Sequence, residues 1–415
     1  MRLAPGAPLN VALAFDAAKG RLPTARLAMA DRVAQMEWDA PVIAARLPVS
    51  PLLYPPDRGL QAARSREFEG LHGFLADSLP EGWGELLMRR RLGKLGLNID
   101  SLTPLDRLAL VGDQGRGALV FEPATAPKDQ VESLDLDALA ADSLKVLAGE
   151  DGALADTLAG LAGASGGARP KIHVGFDGQG AMSVSDGEVA LGHEAWIIKF
   201  RTHEDPIDIG PIEAAYAAMA TKAGLSLSAH RLLQAEAGPG YFATRRFDRP
   251  APGLRLHMVS LSGAIEVRPS LPSSYDTFLR ATLAITRHAQ DVVAAFRRMI
   301  FNILACNRDD HTRQHSFLMS EHGDWRLAPA YDLTFAVGPG GEHYLDIEGE
   351  GRNPTRAHVL TLGLRHGLSD RLIAEVIEAV RSSVSDWPRF AQEAGVTRRS
   401  QMAVSLAHEE VWRRF

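Results

Sequence analysis

Two aspartates and one amide define the chemistry this chain could do. Asp309 lies in the polar run 308–316, Gln314 follows five residues later, and Asp332 comes after a predicted hairpin. Phosphoryl transfer uses parts in this order. A first carboxylate orients a hydroxyl nucleophile, and an amide oxygen and a second carboxylate hold magnesium. The same residues would also serve as the caps and turns of an ordinary surface loop, and this stretch alone does not separate the two readings.

Local elements must bring these residues together. Val292, Phe296, Ile300, Ile303 and Leu304 recur at spacings of three and four, which predicts a buried helix from Asp291 to near Asn307. The polar loop that follows is costly to keep dry, so it is expected to line a wet cleft. Segments 316–319 and 325–328 read as two strands joined by the turn 322–324, a hairpin that returns Asp332 towards Asp309. Upstream, Ser165, Gly166, Gly167 and Ala168 lead to Lys171. Glycines here leave backbone N–H groups free to approach an anion, although most Gly-rich loops are only turns, and the Gly-Lys-Ser/Thr ending of a Walker loop is absent. Lys199 ends the apolar strand 195–200 and needs an acidic partner, an anionic ligand or a route to solvent. Glu213 is placed in the first turn of a helix opening at Pro211, where it either suits the dipole or pairs with Lys199.

The 415 residues suffice for two or three domains with a large core. A net charge of −6 argues against nucleic acid as a partner of the whole surface. The single cysteine, Cys306, excludes an intrachain disulfide and falls on the apolar helix, as a buried structural thiol would. No signal peptide or spanning segment is visible, which makes the expected location cytoplasmic. Asp77 or Ser78 is expected to cap a helix carrying Arg89, Arg90, Arg91 and Lys94, and that basic run reads first as a solvated face. Arg246 and Asp248 alternate as a structural ion pair would. His343, Asp346 and Glu348 alternate on a predicted strand and would approach a zinc site only with a further ligand.

The order of these parts (Gly-rich loop, strand lysine, helix glutamate, aspartate with an amide five residues on, aspartate after a hairpin) is that of protein kinases, without the His-Arg-Asp or Asp-Phe-Gly triplets. The motifs Asp77-Ser78-Leu79-Pro80-Glu81-Gly82-Trp83-Gly84, Asp106-Arg107-Leu108-Ala109-Leu110-Val111-Gly112, Gly166-Gly167-Ala168-Arg169-Pro170-Lys171, Arg246-Phe247-Asp248-Arg249, Asn307-Arg308-Asp309-Asp310-His311 and Tyr331-Asp332-Leu333 resemble the HipA-like serine/threonine kinases of bacterial toxin–antitoxin systems over nearly the whole chain. The resemblance implies an α+β, two-lobed protein-kinase-like fold with an extra N-terminal β-rich subdomain (1–125), a kinase-like N-lobe (126–250) and a helical C-lobe (251–415). It implies ATP, Mg2+ and transfer to serine or threonine, with Asp309 catalytic, Gln314 and Asp332 on the metal, and residues 165–168, Lys171, Lys199 and Glu213 on the nucleotide. It also implies a small DNA-binding, HipB-like antitoxin as partner, DNA contact only through that antitoxin, and a protein target such as an aminoacyl-tRNA synthetase. Three positions depart from the family pattern: Gln314 stands for an asparagine, Arg313 for a lysine, and the autophosphorylated serine aligns with Ala164, beside Ser165. Two other readings stay open: a weakly active scaffold or corepressor with an antitoxin, and a kinase of small molecules or lipids.

Overall fold

The structure is a computed structural model that describes residues 3, 7–126, 135–163, 166–183, 189–190, 192–236 and 238–415. Strands β1 (Leu9–Asp16), β2 (Gly20–Ala30), β3 (Val33–Trp38), β4 (Leu60–Ala62) and β5 (Leu119–Glu122) form an antiparallel sheet in the order β4-β3-β2-β1-β5. Period-two alternation fixes its inner face: Ala34, Met36 and Trp38 of β3 are buried and their neighbours are not. The helix Pro104–Val111 starts at a reciprocal capping box between Thr103 and Asp106 and leads back to β5.

A second antiparallel sheet contains β6 (Lys171–Phe176), β7 (Met182–Ser183), β8 (Glu194–Lys199), β9 (His230–Leu233) and β10 (Tyr241–Arg245), in the order β7-β6-β8-β10-β9. It has its own core, in which Ile172, Val174, Trp196 and Ile198 meet Leu158 and Leu161 of the helix Ala155–Ala162. Trp83 and Leu87 of the helix Trp83–Lys94 join that core from the N-terminal segment.

The C-terminal part is helical around Ala289–Leu304, whose apolar stripe is buried as its periodicity predicts. This helix stops three residues before Asn307, and Cys306 follows in a left-handed conformation with φ 53°. Strands β11 (His257–Ser260), β13 (Ser316–Met319) and β14 (Trp325–Leu327) form a small sheet that includes the expected hairpin. β12 (Ser273–Ser274) and β15 (Leu345–Asp346) make a short parallel pair. Apolar side chains of the first sheet and of these helices belong to one continuous core.

Candidate active site

Register brings two lysines together. Lys171 opens β6 and Lys199 closes β8, and they are direct cross-strand partners. Like charges placed so are destabilising unless carboxylates intervene. Two do. Glu213, on the helix Ile209–Lys222, lies 2.9 Å from the Lys199 ammonium, and Asp332 makes a second, close ion pair with it. Burial works against the Lys199 charge, but Asp332 and Glu213 override it and raise its pKa. Lys171 donates to the carbonyl of Gly166 and lacks such close carboxylates. Burial lowers it to about 8; Asp332 and Glu213 oppose that shift, and Lys199 and Arg116 add to it. Asp332 goes the other way: burial opposes its charge, yet Lys199 and Lys171 hold its carboxyl well below the usual range.

Asp332 takes φ 57°, a costly conformation for a residue other than glycine, at the turn that presents its carboxylate. Gln314, in the short 3-10 turn Thr312–Gln314, places its Nε2 3.4 Å from Asp332 Oδ2. Asp309 is half exposed, with His311 Nε2 3.8 Å from its Oδ1. The backbone N–H of Arg313 donates to His311 Nδ1, which leaves Nε2 as the protonated nitrogen facing Asp309. Burial raises the Asp309 pKa; His311 opposes that shift, and the nearby Asp332 and Asp310 carboxylates add to it.

Half of the polar loop is dry, contrary to the expectation of a wet lining. Asp309, His311 and Gln314 keep some exposure, while Asp310, Thr312, Arg313 and His315 are buried. Asp310 accepts from Tyr275 Oη (2.6 Å), from the backbone N–H of Tyr344 (2.8 Å) and from His343 Nδ1 (2.8 Å). Asn302 and Asn307 extend the network to Tyr275. The bare spacing gave Asp310 no role, because its partners lie more than thirty residues away on either side. Arg169 was also assigned none. It binds Asp205 at 2.8 Å and Glu213 at 2.9 Å, so Glu213 is held from both sides.

Other expectations change. The helix bearing Glu213 begins at Ile209, so Glu213 lies beyond its first turn and the dipole reading falls away. Neither Asp77 nor Ser78 caps the basic helix, whose N-cap is Gly82. Asp77 instead accepts from the backbone N–H (2.6 Å) and hydroxyl (2.7 Å) of Ser260. Arg89, Arg90 and Lys94 are engaged by Asp100, by the carbonyls of Glu150 and Val146, and by Asp156. His343 goes to Asp310, Glu348 to Arg365 and Asp346 to the N–H of Gly349, and no set of three metal-ligating side chains occurs among the described residues. Arg246 and Arg249 do pair with Asp248, at 2.7 and 2.9 Å, and Asp248 also binds the N–H of Gly117. Gly166, Gly167 and Ala168 lie beside Lys171, while Ser165 falls outside the described residues.

Comparison with known proteins adds a second, independent line. The family described as HipA-like C-terminal domain matches residues 163–387, and the HipA N-terminal domain matches residues 18–122. The chain belongs to the HipA family. It is similar to a chain of the Shewanella oneidensis toxin–antitoxin complex of HipA, HipB and operator DNA, with a TM-score of 0.68 at 17% identity, over 98% of this chain and 96% of that one. This likeness shows the fold: α+β and two-lobed, kinase-like, with a β-rich N-terminal subdomain and a helical C-lobe. The Helicobacter pylori proinflammatory kinase CtkA gives a TM-score of 0.32 at 13% identity, over 51% of this chain and 92% of that one. A Haemophilus influenzae protein named "Putative kinase" is 30% identical over 103 residues, a match that covers 22% of this chain and 30% of that protein. Among the described residues no helix is long and apolar enough to cross a membrane.

Proposed function

We propose that this HipA-family chain is an ATP- and magnesium-dependent serine/threonine protein kinase, acting in the cytoplasm as the toxin of a toxin–antitoxin pair. The observation that carries the reading is the chain Glu213–Lys199–Asp332–Gln314 gathered beside Asp309. Oxygen donors on Asp332 and Gln314 suit a hard cation such as magnesium, once a half-turn of the Gln314 amide presents its oxygen. The metal, when bound, neutralises phosphate charge. Lys199 is held in place by Glu213 and exchanges its contact with Asp332 for the nucleotide phosphates. Lys171, adjacent across the sheet, supplies a second cation. Asp309 accepts the hydrogen bond of the incoming hydroxyl, orients it in line with the terminal phosphate and takes up its proton. A small DNA-binding antitoxin is the proposed partner, by analogy with the HipB named in the Shewanella complex. The proposed target is a translation component such as an aminoacyl-tRNA synthetase.

The test is transfer of label from γ-labelled ATP, with magnesium, to proteins of a source-cell lysate. Wild type should label a discrete band, and Asp309→Ala and Asp332→Ala should not, while both variants keep the wild-type melting curve. No label from wild type, with nucleotide still bound, would overturn the kinase and favour the scaffold. The longer Gln314 side chain at the metal position is the feature that keeps that second reading in view.

A further inference from the structure

Arg116 belongs to the N-terminal subdomain, in the connection between the helix Pro104–Val111 and β5. Its guanidinium nevertheless lies on the Gly-rich loop of the other half. A Cβ at Gly166 would stand 3.0 Å from Arg116 Nη2 and 3.2 Å from its Cζ, an approach that glycine permits and larger residues would push back. Arg116 Nε and Nη2 are shielded from solvent and have no hydrogen-bond partner among the described residues. Neighbouring arginines are satisfied: Arg169 by Asp205 and Glu213, and Arg246 by Asp248. Two shielded guanidinium nitrogens without an acceptor are unfavourable, and they mark a place where an anion would be gained rather than lost. Lys171 meets the same two glycines: it donates to the Gly166 carbonyl and lies 3.1 Å from where a Cβ of Gly167 would be, and Arg116 is one of the charges that repel it.

We propose that Arg116 is a phosphate ligand, so that the N-terminal subdomain forms one wall of the nucleotide site. Arg116 and Lys171, both set against Gly166 and Gly167, share the charge of a polyphosphate at this loop, and the guanidinium gains the acceptors it lacks. This rests on the kinase reading above. It goes beyond that reading by assigning a phosphate contact to the subdomain outside the two lobes.

Calorimetric titration of the full chain with ATP, ADP and adenosine, each with magnesium, tests this for wild type, Arg116→Ala and Arg116→Gln. Loss of charge-assisted hydrogen bonds predicts ATP affinity about ten- to a hundredfold weaker in both variants, with adenosine affinity unchanged. ATP binding equal to wild type in both variants would overturn the role of Arg116 and leave the kinase reading standing. Loss of adenosine together with ATP would show a merely structural arginine and overturn it as well. A wild-type chain that bound none of the three would remove both readings.

Discussion

Asp309 and Asp332 carry the same carboxyl group and are driven in opposite directions. Lys199 and Lys171 keep Asp332 ionised against its burial, as the proposed metal-binding role requires. Asp309 has no such cation in contact, and burial raises its pKa. In the proposed role it must be ionised to accept the substrate hydroxyl, so activity is expected to fall with falling pH. The acid limb of kcat/KM should lie above the value near 4 that an unperturbed aspartate would give. His311 opposes the rise, so His311→Gln should move the limb to still higher pH, read from initial rates across pH; a limb that does not move would remove His311 from the site. Asp309→Asn should cost about a hundred- to ten-thousandfold in kcat. The grouping of Asp309, Gln314 and Asp332 was legible because all three lie within one loop and one hairpin, where spacing fixes geometry. Asp310 and Arg169 were not, since what distinguishes each from a solvated side chain is a partner distant in sequence.

The segment from Asp77 to Trp83 joins the Gly-rich loop to the turn that carries Gln314. Arg313, in the turn that carries Gln314, is buried between a close ion pair with Glu81 and Asp77 Oδ1 at 3.9 Å. A few residues on, the Trp83 backbone N–H donates to the carbonyl of Gly167 (3.1 Å) and its indole N–H to that of Lys171 (3.2 Å). Gly82 takes φ 51°, and a Cβ there would stand 2.6 Å from the Gly167 carbonyl oxygen. Two substitutions should therefore separate. Glu81→Gln leaves the buried Arg313 guanidinium with only the more distant Asp77 as counter-charge beside the Gln314 turn, and should lower kcat about tenfold with little change in KM for ATP. Gly82→Ala displaces the Gly-rich loop and should raise KM for ATP several-fold with a smaller effect on kcat. Steady-state kinetics at saturating protein substrate measures both, and identical profiles would show that the segment does not address the loops independently. The helices and strands themselves were readable from period and turn residues. The use of Asp77 was not: a carboxylate ahead of a helix reads as a cap, and its partner Ser260 lies 183 residues away.

On the scale of the molecule, the first sheet shares its core with the C-terminal helices, while the second sheet has a separate core that Trp83 and Leu87 join from the N-terminal segment. Sequence order places the second sheet between the two parts that merge, and no local pattern announces which halves will share a core. Buried histidines lie along that shared core. His257 Nε2 meets the carbonyl of Val49 at 2.9 Å, which ties β11 to the N-terminal subdomain, and His72 Nε2 meets that of Gln61 at 2.9 Å. His315 is stacked on Phe278 with ring centroids 4.1 Å apart. Each leaves Nδ1 buried with no partner among the described residues, so a second proton would place a charged donor where nothing accepts it. Burial accordingly lowers His72 and His257 to about 4 and His315 to about 3. Unfolded histidines titrate near 6.5, so between that pH and the folded values the unfolded chain binds more protons, and stability must rise with pH. Each group contributes up to about 1.4 kcal/mol per pH unit across its window. Melting at pH 5 should therefore fall roughly 5–7 °C below that at pH 7.5, and His257→Phe, which keeps the volume and removes the titration, should flatten the slope. Thermal melts across this range decide it, and a melting temperature that does not change would mean that the shared core opens without exposing these rings.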